Sequence, residues 1–159
     1  YKNIFENEII RKNTPDLNVE EIAKICKTNK FSGTRINEQL ISDLRKNIPS
    51  LQFQLVRDTS FTQIQEIINE DCPCIINYDC VYLLYNIPSK VGHAGVVIGI
   101  DNQSIYLNNP WLGAEIGVNK VDMGDAWEIE YNQIIIIKPN IQTSLNEDNF
   151  GENARETTN

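Results

Sequence analysis

Near residue 50 the apolar residues change their period, from the three-to-four spacing of helices to the alternation of strands. Upstream, Asn18-Val19-Glu20-Glu21 is a capping-box pattern, and Val19, Ile22, Ala23 and Cys26 follow on one helical stripe facing a core. Ser32-Gly33-Thr34 reads as a turn and helix start, with Ile36, Leu40, Ile41 and Leu44 at helical spacing until Ile48-Pro49-Ser50 breaks the run. Tyr1 to Arg11 reads as the end of a helix that opens upstream of this chain, with Ile4, Phe5, Ile9 and Ile10 on its stripe. Downstream, Leu51, Phe53 and Leu55 alternate with Gln52, Gln54 and Val56, a half-buried strand.

One more helix is expected after that strand. Ser60-Phe61-Thr62-Gln63 is a second capping box, and Phe61, Ile64, Ile67 and Ile68 point inward. From Pro73 onward the runs read as strands: Cys74 to Tyr78, Val81 to Tyr85, His93 to Ile100, Ser104 to Asn108 and Ile134 to Lys138. Cys80 falls in a loop between two of them, Asp101-Asn102-Gln103 is a tight hairpin connection, and Asp122 to Trp127 is a helical turn. Helices first and strands later give an α+β domain with an antiparallel sheet. It is expected to span residues 1–140, with a disordered polar tail at 141–159. No internal repeat or linker interrupts it.

The formal charge of −8 comes with no basic cluster, which argues against a nucleic-acid partner. No apolar run approaches the roughly 20 residues of a membrane span. Cys26, Cys72, Cys74 and Cys80 do not form the dense framework of a small secreted domain, so free thiols are expected. Compartment and oligomeric state are not encoded in an obvious signal; the cytoplasm is the favoured compartment.

The only histidine is His93, at the head of an apolar strand in Gly92-His93-Ala94-Gly95-Val96-Val97-Ile98-Gly99. Asn109 ends the next strand, in Tyr106-Leu107-Asn108-Asn109-Pro110-Trp111. Hairpin pairing brings the end of the second strand back beside the start of the first, so the two are expected to be neighbours. An imidazole that moves protons needs a third group to fix its tautomer, and an amide carbonyl can do so. The same pattern also fits a structural histidine beside a turn asparagine. Zinc ligation by Cys72, Cys74, Cys80 and His93 has no recognised spacing and is not expected.

Several segments, in order, resemble the papain-like cysteine peptidases of the bacteriocin-processing group and their peptidase-39-like relatives. Leu17-Asn18-Val19-Glu20-Glu21-Ile22-Ala23 looks like the family's second helix, and Gly33-Thr34 like the turn before the next. Asp71-Cys72-Pro73-Cys74-Ile75-Ile76 resembles its Gly-Pro-Val-Ile-Val strand entry. Gly92-His93 through Ile100-Asp101 resembles the catalytic histidine strand, and Tyr106-Leu107-Asn108-Asn109-Pro110 resembles Tyr-Val-Asn-Asp-Pro, whose acid orients that histidine. Ala126-Trp127 with Ile134-Ile135-Ile136-Ile137 resembles the closing tryptophan and last strand. The resemblance implies a papain-like fold with N-terminal helices packed on the sheet. It also implies a peptide or protein substrate, no metal or cofactor, and a Cys-His-Asn set using His93 and Asn109. Trp111 is the candidate substrate-binding aromatic, or else a cleft-wall or core residue.

Two departures stand out. The family's nucleophile sits in a Cys-Gly-Pro or Cys-Gly-Ala motif with a Gln before it, and neither occurs here; both are expected upstream of Tyr1, so the chain as given is expected to be silent. Asn109 also replaces the family's usual Asp. A degenerate fold that binds peptide without cleaving it, and a transglutaminase-like acyl transferase, are the alternatives.

Overall fold

The computed structural model describes residues 16–29, 33–89, 91–110 and 113–140. The expected helix end at Tyr1 to Arg11, the 141–159 tail and Trp111 lie outside the described residues. The described elements run α1 (Val19–Ile25), α2 (Glu38–Asn47), β1 (Leu51–Val56), α3 (Phe61–Asn69), β2 (Cys74–Asp79), α4 (Cys80–Tyr85), β3 (Gly92–Ile100), β4 (Ser104–Asn109), β5 (Gly113–Asn119), α5 (Lys120–Glu128) and β6 (Ile134–Pro139). The six strands form one sheet in the order β1-β6-β2-β3-β4-β5, and all five neighbouring pairs are antiparallel.

The centre of the sheet, β2 and β6, is buried on both faces, and β6 makes the point most clearly. Successive strand side chains point to opposite faces. Ile134 and Ile136 accordingly join one apolar cluster, with Ile64, Cys74, Ile76, Tyr78, Met123 and Trp127. Ile135 and Ile137 join the other, with Leu40, Ile41, Leu44, Leu51 and Phe53. The first face is covered by α3, α4 and α5, the second by α2 with support from α1. Four consecutive isoleucines are what a central strand covered on both sides requires.

Both capping boxes form. Asn18 Oδ1 accepts from Glu21 N while Asn18 N donates to Glu21 Oε2, and Ser60 and Gln63 reciprocate in the same way. Four expectations need correction. Val19 does not face the core; it is 82% exposed, while Cys26 packs inward as expected, joined by Leu17 and Ile25. The next helix does not open at Ser32-Gly33-Thr34: Asn37 caps it by accepting from Leu40 N, and Gly33 instead bridges back to Asn29. Val81 to Tyr85 is helix rather than strand, and Cys80 is its first residue rather than part of a loop. Finally, β5 adds a strand that the sequence pattern does not announce. Its two glycines and the left-handed Glu115 (φ 56°) dilute any strand signal.

The α4 correction has a local cause. Asp79 Oδ1 accepts from both Val81 N and Tyr82 N, which caps a helix at the end of β2. Asn86 closes it in the left-handed region, its N–H returning to Tyr82 O at 2.7 Å. All four cysteines are free thiols. Among the described residues no helix is long and apolar enough to cross a membrane.

Candidate active site

β2 and β3 pair so that Tyr78 lies directly across from His93. Their side chains therefore share a face, and the two rings meet edge-on, with centroids 5.6 Å apart and planes at 81°. Asn109 arrives from β4. His93 Nε2 and Asn109 Oδ1 are 3.2 Å apart. A carbonyl oxygen only accepts, so in this bond Nε2 carries the proton. The other end of the amide, Nδ2, donates to Tyr78 Oη at 2.6 Å. Asn109 and Tyr78 are buried, at 6% and 1% exposure, while His93 is half-buried at the strand's start. Burial, with a contribution from Cys80, pushes the Tyr78 phenol up to about 12, the bond from Asn109 opposing it, so the hydroxyl is neutral at any physiological pH.

A β-bulge decides whether Asn109 can reach His93. The hairpin begins with Ile100 opposite Ile105 and Gly99 opposite Tyr106. Continued without interruption, that register would set Asn109 across from Val96, on the face away from His93. The register instead shifts between Val97 and Gly99, so that Val97 meets Leu107 and Val96 meets Asn108. Carried one residue further, Asn109 lies across from Gly95, on His93's face. The extra residue, Ile98, thus reverses the parity of the strand. A Cβ on Gly95 would lie 3.4 Å from Leu107 Cδ1 and 3.6 Å from Asn108 O, so β4 runs close past it. A second irregularity, between Leu107 and Asn109 against β5, brings Glu115 N to Asn108 Oδ1 and steadies the end of β4.

The approach to His93 is held from behind. Asp79 is wholly buried; besides the two cap bonds, its Oδ1 accepts from Ser89 Oγ at 2.7 Å and its Oδ2 from Ser89 N at 2.8 Å. This ties the far end of the segment after α4 to the end of β2, just before Gly92-His93. A Cβ on Gly92 would lie 3.3 Å from Asn77 Oδ1 and 3.5 Å from Glu130 Oε1, so the position is tight. Asn77 Nδ2 donates to Glu130 Oε2 at 2.9 Å, and burial raises the Glu130 carboxyl, with the Asn77 bond opposing and Asp79 adding to the rise.

A cavity of about 1000 Å³ lies beside α1, α2 and the sheet face they cover, lined by Leu40, Leu44, Phe53, Ile75 and Ile135 and reaching Asn77, Gly92 and His93. Three of the four thiols are unsuited to attack. Burial raises Cys26, with Asp43 adding to it, raises Cys74 to about 12, and raises Cys80, with Asp79 adding to it. A nucleophilic cysteine needs the opposite shift. Among the described residues no group of three His, Cys, Asp or Glu is placed to hold a metal ion.

Of the residues singled out from sequence, His93 and Asn109 meet, and Trp111 lies outside the described residues. Tyr78 completes the group and is not marked out by the sequence. Its strand is visible there, but its position across from His93 depends on a register that no local pattern encodes.

The model of the Peptidase_C39 like family matches residues 8–135. Among solved structures, the chain is similar to a protein from Bacillus anthracis described as a C39-like peptidase. That match has a TM-score of 0.60 and 14% identity over 80% of this chain and 82% of the other. It is also similar to the peptidase domain of Streptococcus ComA, a bifunctional ABC transporter involved in a quorum-sensing pathway. There the TM-score is 0.57, with 16% identity over 82% of this chain and 85% of the other. A search of curated protein sequences returns no significant match. At such identities the two structures establish a shared fold, the papain-like α+β arrangement.

Proposed function

We propose that this chain, which belongs to the Peptidase_C39 like family, carries the proton-transfer half of a cysteine peptidase site, formed by His93 and Asn109. The observation behind the reading is the 3.2 Å contact between His93 Nε2 and Asn109 Oδ1 within that family's fold. With Nε2 engaged by the amide, Nδ1 is the nitrogen that exchanges a proton with a thiol. That thiol belongs to a cysteine upstream of Tyr1, at the N-terminus of a helix whose dipole acidifies it.

The steps are those of acyl transfer. The thiolate attacks the scissile carbonyl carbon, and the oxyanion is held by the upstream Gln and a backbone N–H. His93, as imidazolium, gives its Nδ1 proton to the departing amine, leaving a thioester. Water, losing a proton to His93, then hydrolyses the thioester. Asn109 keeps the ring oriented throughout. The set calls for no metal or cofactor. Its substrate is a peptide or protein, and a bacteriocin-type precursor is the finer reading suggested by the resemblance.

Binding without cleavage is the second reading, and the raised thiols of Cys26, Cys74 and Cys80 favour it for these residues taken alone. The test is to express the chain with its natural upstream segment and assay peptide hydrolysis with and without a thiol-alkylating agent. The expected result is alkylation-sensitive turnover that an upstream Cys→Ser change or His93→Ala abolishes, while the 159 residues alone give none. An upstream segment with Ser, Gly or Ala in place of that cysteine, and no turnover, would leave the binding reading standing.

A further inference from the structure

We propose that Tyr78 is a positioning residue of this site: its hydroxyl accepts from the amide nitrogen of Asn109 and so lets Oδ1 face His93 with both ends of the amide bonded. An asparagine side chain is asymmetric. With Oδ1 toward His93, Nε2 can donate, and a ring protonated at both nitrogens is accommodated. With the amide turned over, Nδ2 faces Nε2, and only an imidazole carrying its proton on Nδ1 fits. The first orientation leaves the Nδ2 hydrogens needing an acceptor in a place where the side chain is 6% exposed. Tyr78 Oη supplies it at 2.6 Å.

The arrangement closes on itself. Tyr78 stands across from His93 in the strand register, its ring edge rests against the imidazole, and its hydroxyl reaches past the ring to the amide. One side chain thus packs against the base and anchors the residue that orients it. Replacing the hydroxyl by hydrogen leaves the packing. The observed orientation would then lose this acceptor for a buried amide N–H, whereas the turned-over amide leaves a carbonyl with one partner fewer, which proteins tolerate more readily. Loss of Oη therefore moves the neutral ring toward the Nδ1–H tautomer. A carboxylate at position 109 would remove the dependence, because either of its oxygens accepts from Nε2.

His93 is the only histidine, so its ring nitrogens can be read without ambiguity in long-range 1H–15N spectra of the 159-residue chain. The expected result for the natural chain is the Nε2–H tautomer with an observable, slowly exchanging ring proton. Tyr78→Phe is expected to lose that signal and show a mixed or Nδ1–H ring. Tyr78→Phe combined with Asn109→Asp is expected to recover Nε2–H. Two results overturn the proposal: a folded Tyr78→Phe chain with an unchanged ring, or a loss of Nε2–H that persists when Asn109→Asp is added. A purely packing role would ignore the identity of residue 109. Should Tyr78→Phe not fold, the natural chain decides. An Nε2–H ring beside an exchange-protected Asn109 amide supports the anchor; an Nδ1–H ring or a freely exchanging amide refutes it. The proposal rests on the peptidase reading for its catalytic meaning, but the spectra need no nucleophile, so a negative peptidase assay and a negative tautomer result are separate outcomes.

Discussion

Replacing Asp79 by Ala is expected to be among the costlier single changes in the described fold. The carboxylate is wholly buried and, among the described residues, accepts from Val81 N, Tyr82 N, Ser89 N and Ser89 Oγ. Bonds to a charged acceptor contribute about 1.5–3 kcal/mol each, and a cap substitution alone costs about 1 kcal/mol. The sum overstates the loss, because the donors sit on half-buried residues that water can reach and because removing a buried charge returns its desolvation cost. A net loss of about 3 kcal/mol is expected, a large part of the roughly 5–15 kcal/mol that holds a domain of this size together. Asp79→Asn retains the oxygen that serves three of the bonds but turns an amide N–H toward Ser89 N, for about 1–2 kcal/mol; Ser89→Ala removes one bond to the carboxylate, for about 1 kcal/mol. The assay is urea unfolding followed by fluorescence, with Trp127 (2% exposed) as a core reporter and the denaturant slope checked for constancy. Asp79→Ala within about 0.5 kcal/mol of the natural chain, or Asp79→Asn as damaging as Asp79→Ala, would refute the clamp.

Three further outcomes follow from the same geometry. Burial raises the Glu130 carboxyl above its unfolded value, with Asn77 opposing and Asp79 adding, so its share of stability is full below the unfolded glutamate range and is lost as pH rises through the higher folded value. Glu130→Gln should therefore gain in melting temperature relative to the natural chain as pH rises above the ordinary glutamate range, and a difference that falls with pH would contradict it. Cys74, fully buried with its thiol raised to about 12, should resist alkylation at about pH 8 until the chain unfolds, as mass spectrometry of native and denatured samples can check. Deleting Ile98 removes the bulge residue while keeping Val97 across from Leu107, so the Nε2–H signal of His93 should survive; its loss from a chain that still folds would show that the bulge does more than set parity.

What the sequence determined alone was whatever depends on neighbours along the chain. Both capping boxes are contacts three residues apart, and both form as read. The periods of the apolar residues placed every described helix but α4 and every described strand but β5, the isoleucine run at 134–137 among them, while its burial on both faces is seen only in the fold. The nearness of His93 and Asn109 followed from hairpin connectivity. Tertiary structure decided the rest, because the deciding partners lie far away or turn on a count of one. Val81 to Tyr85 has an apolar content that suits a strand. It becomes helix because Asp79, held also by Ser89 ten residues on, caps it. β5 exists because β4 offers an edge, despite two glycines and a left-handed residue. Hairpin connectivity put Asn109 near His93 but left its face open. A strand repeats every two residues, so whether Ile98 is bulged out of the ladder or paired within it decides if the amide lies on the near side of the sheet, where His93 and Tyr78 meet it, or on the far one.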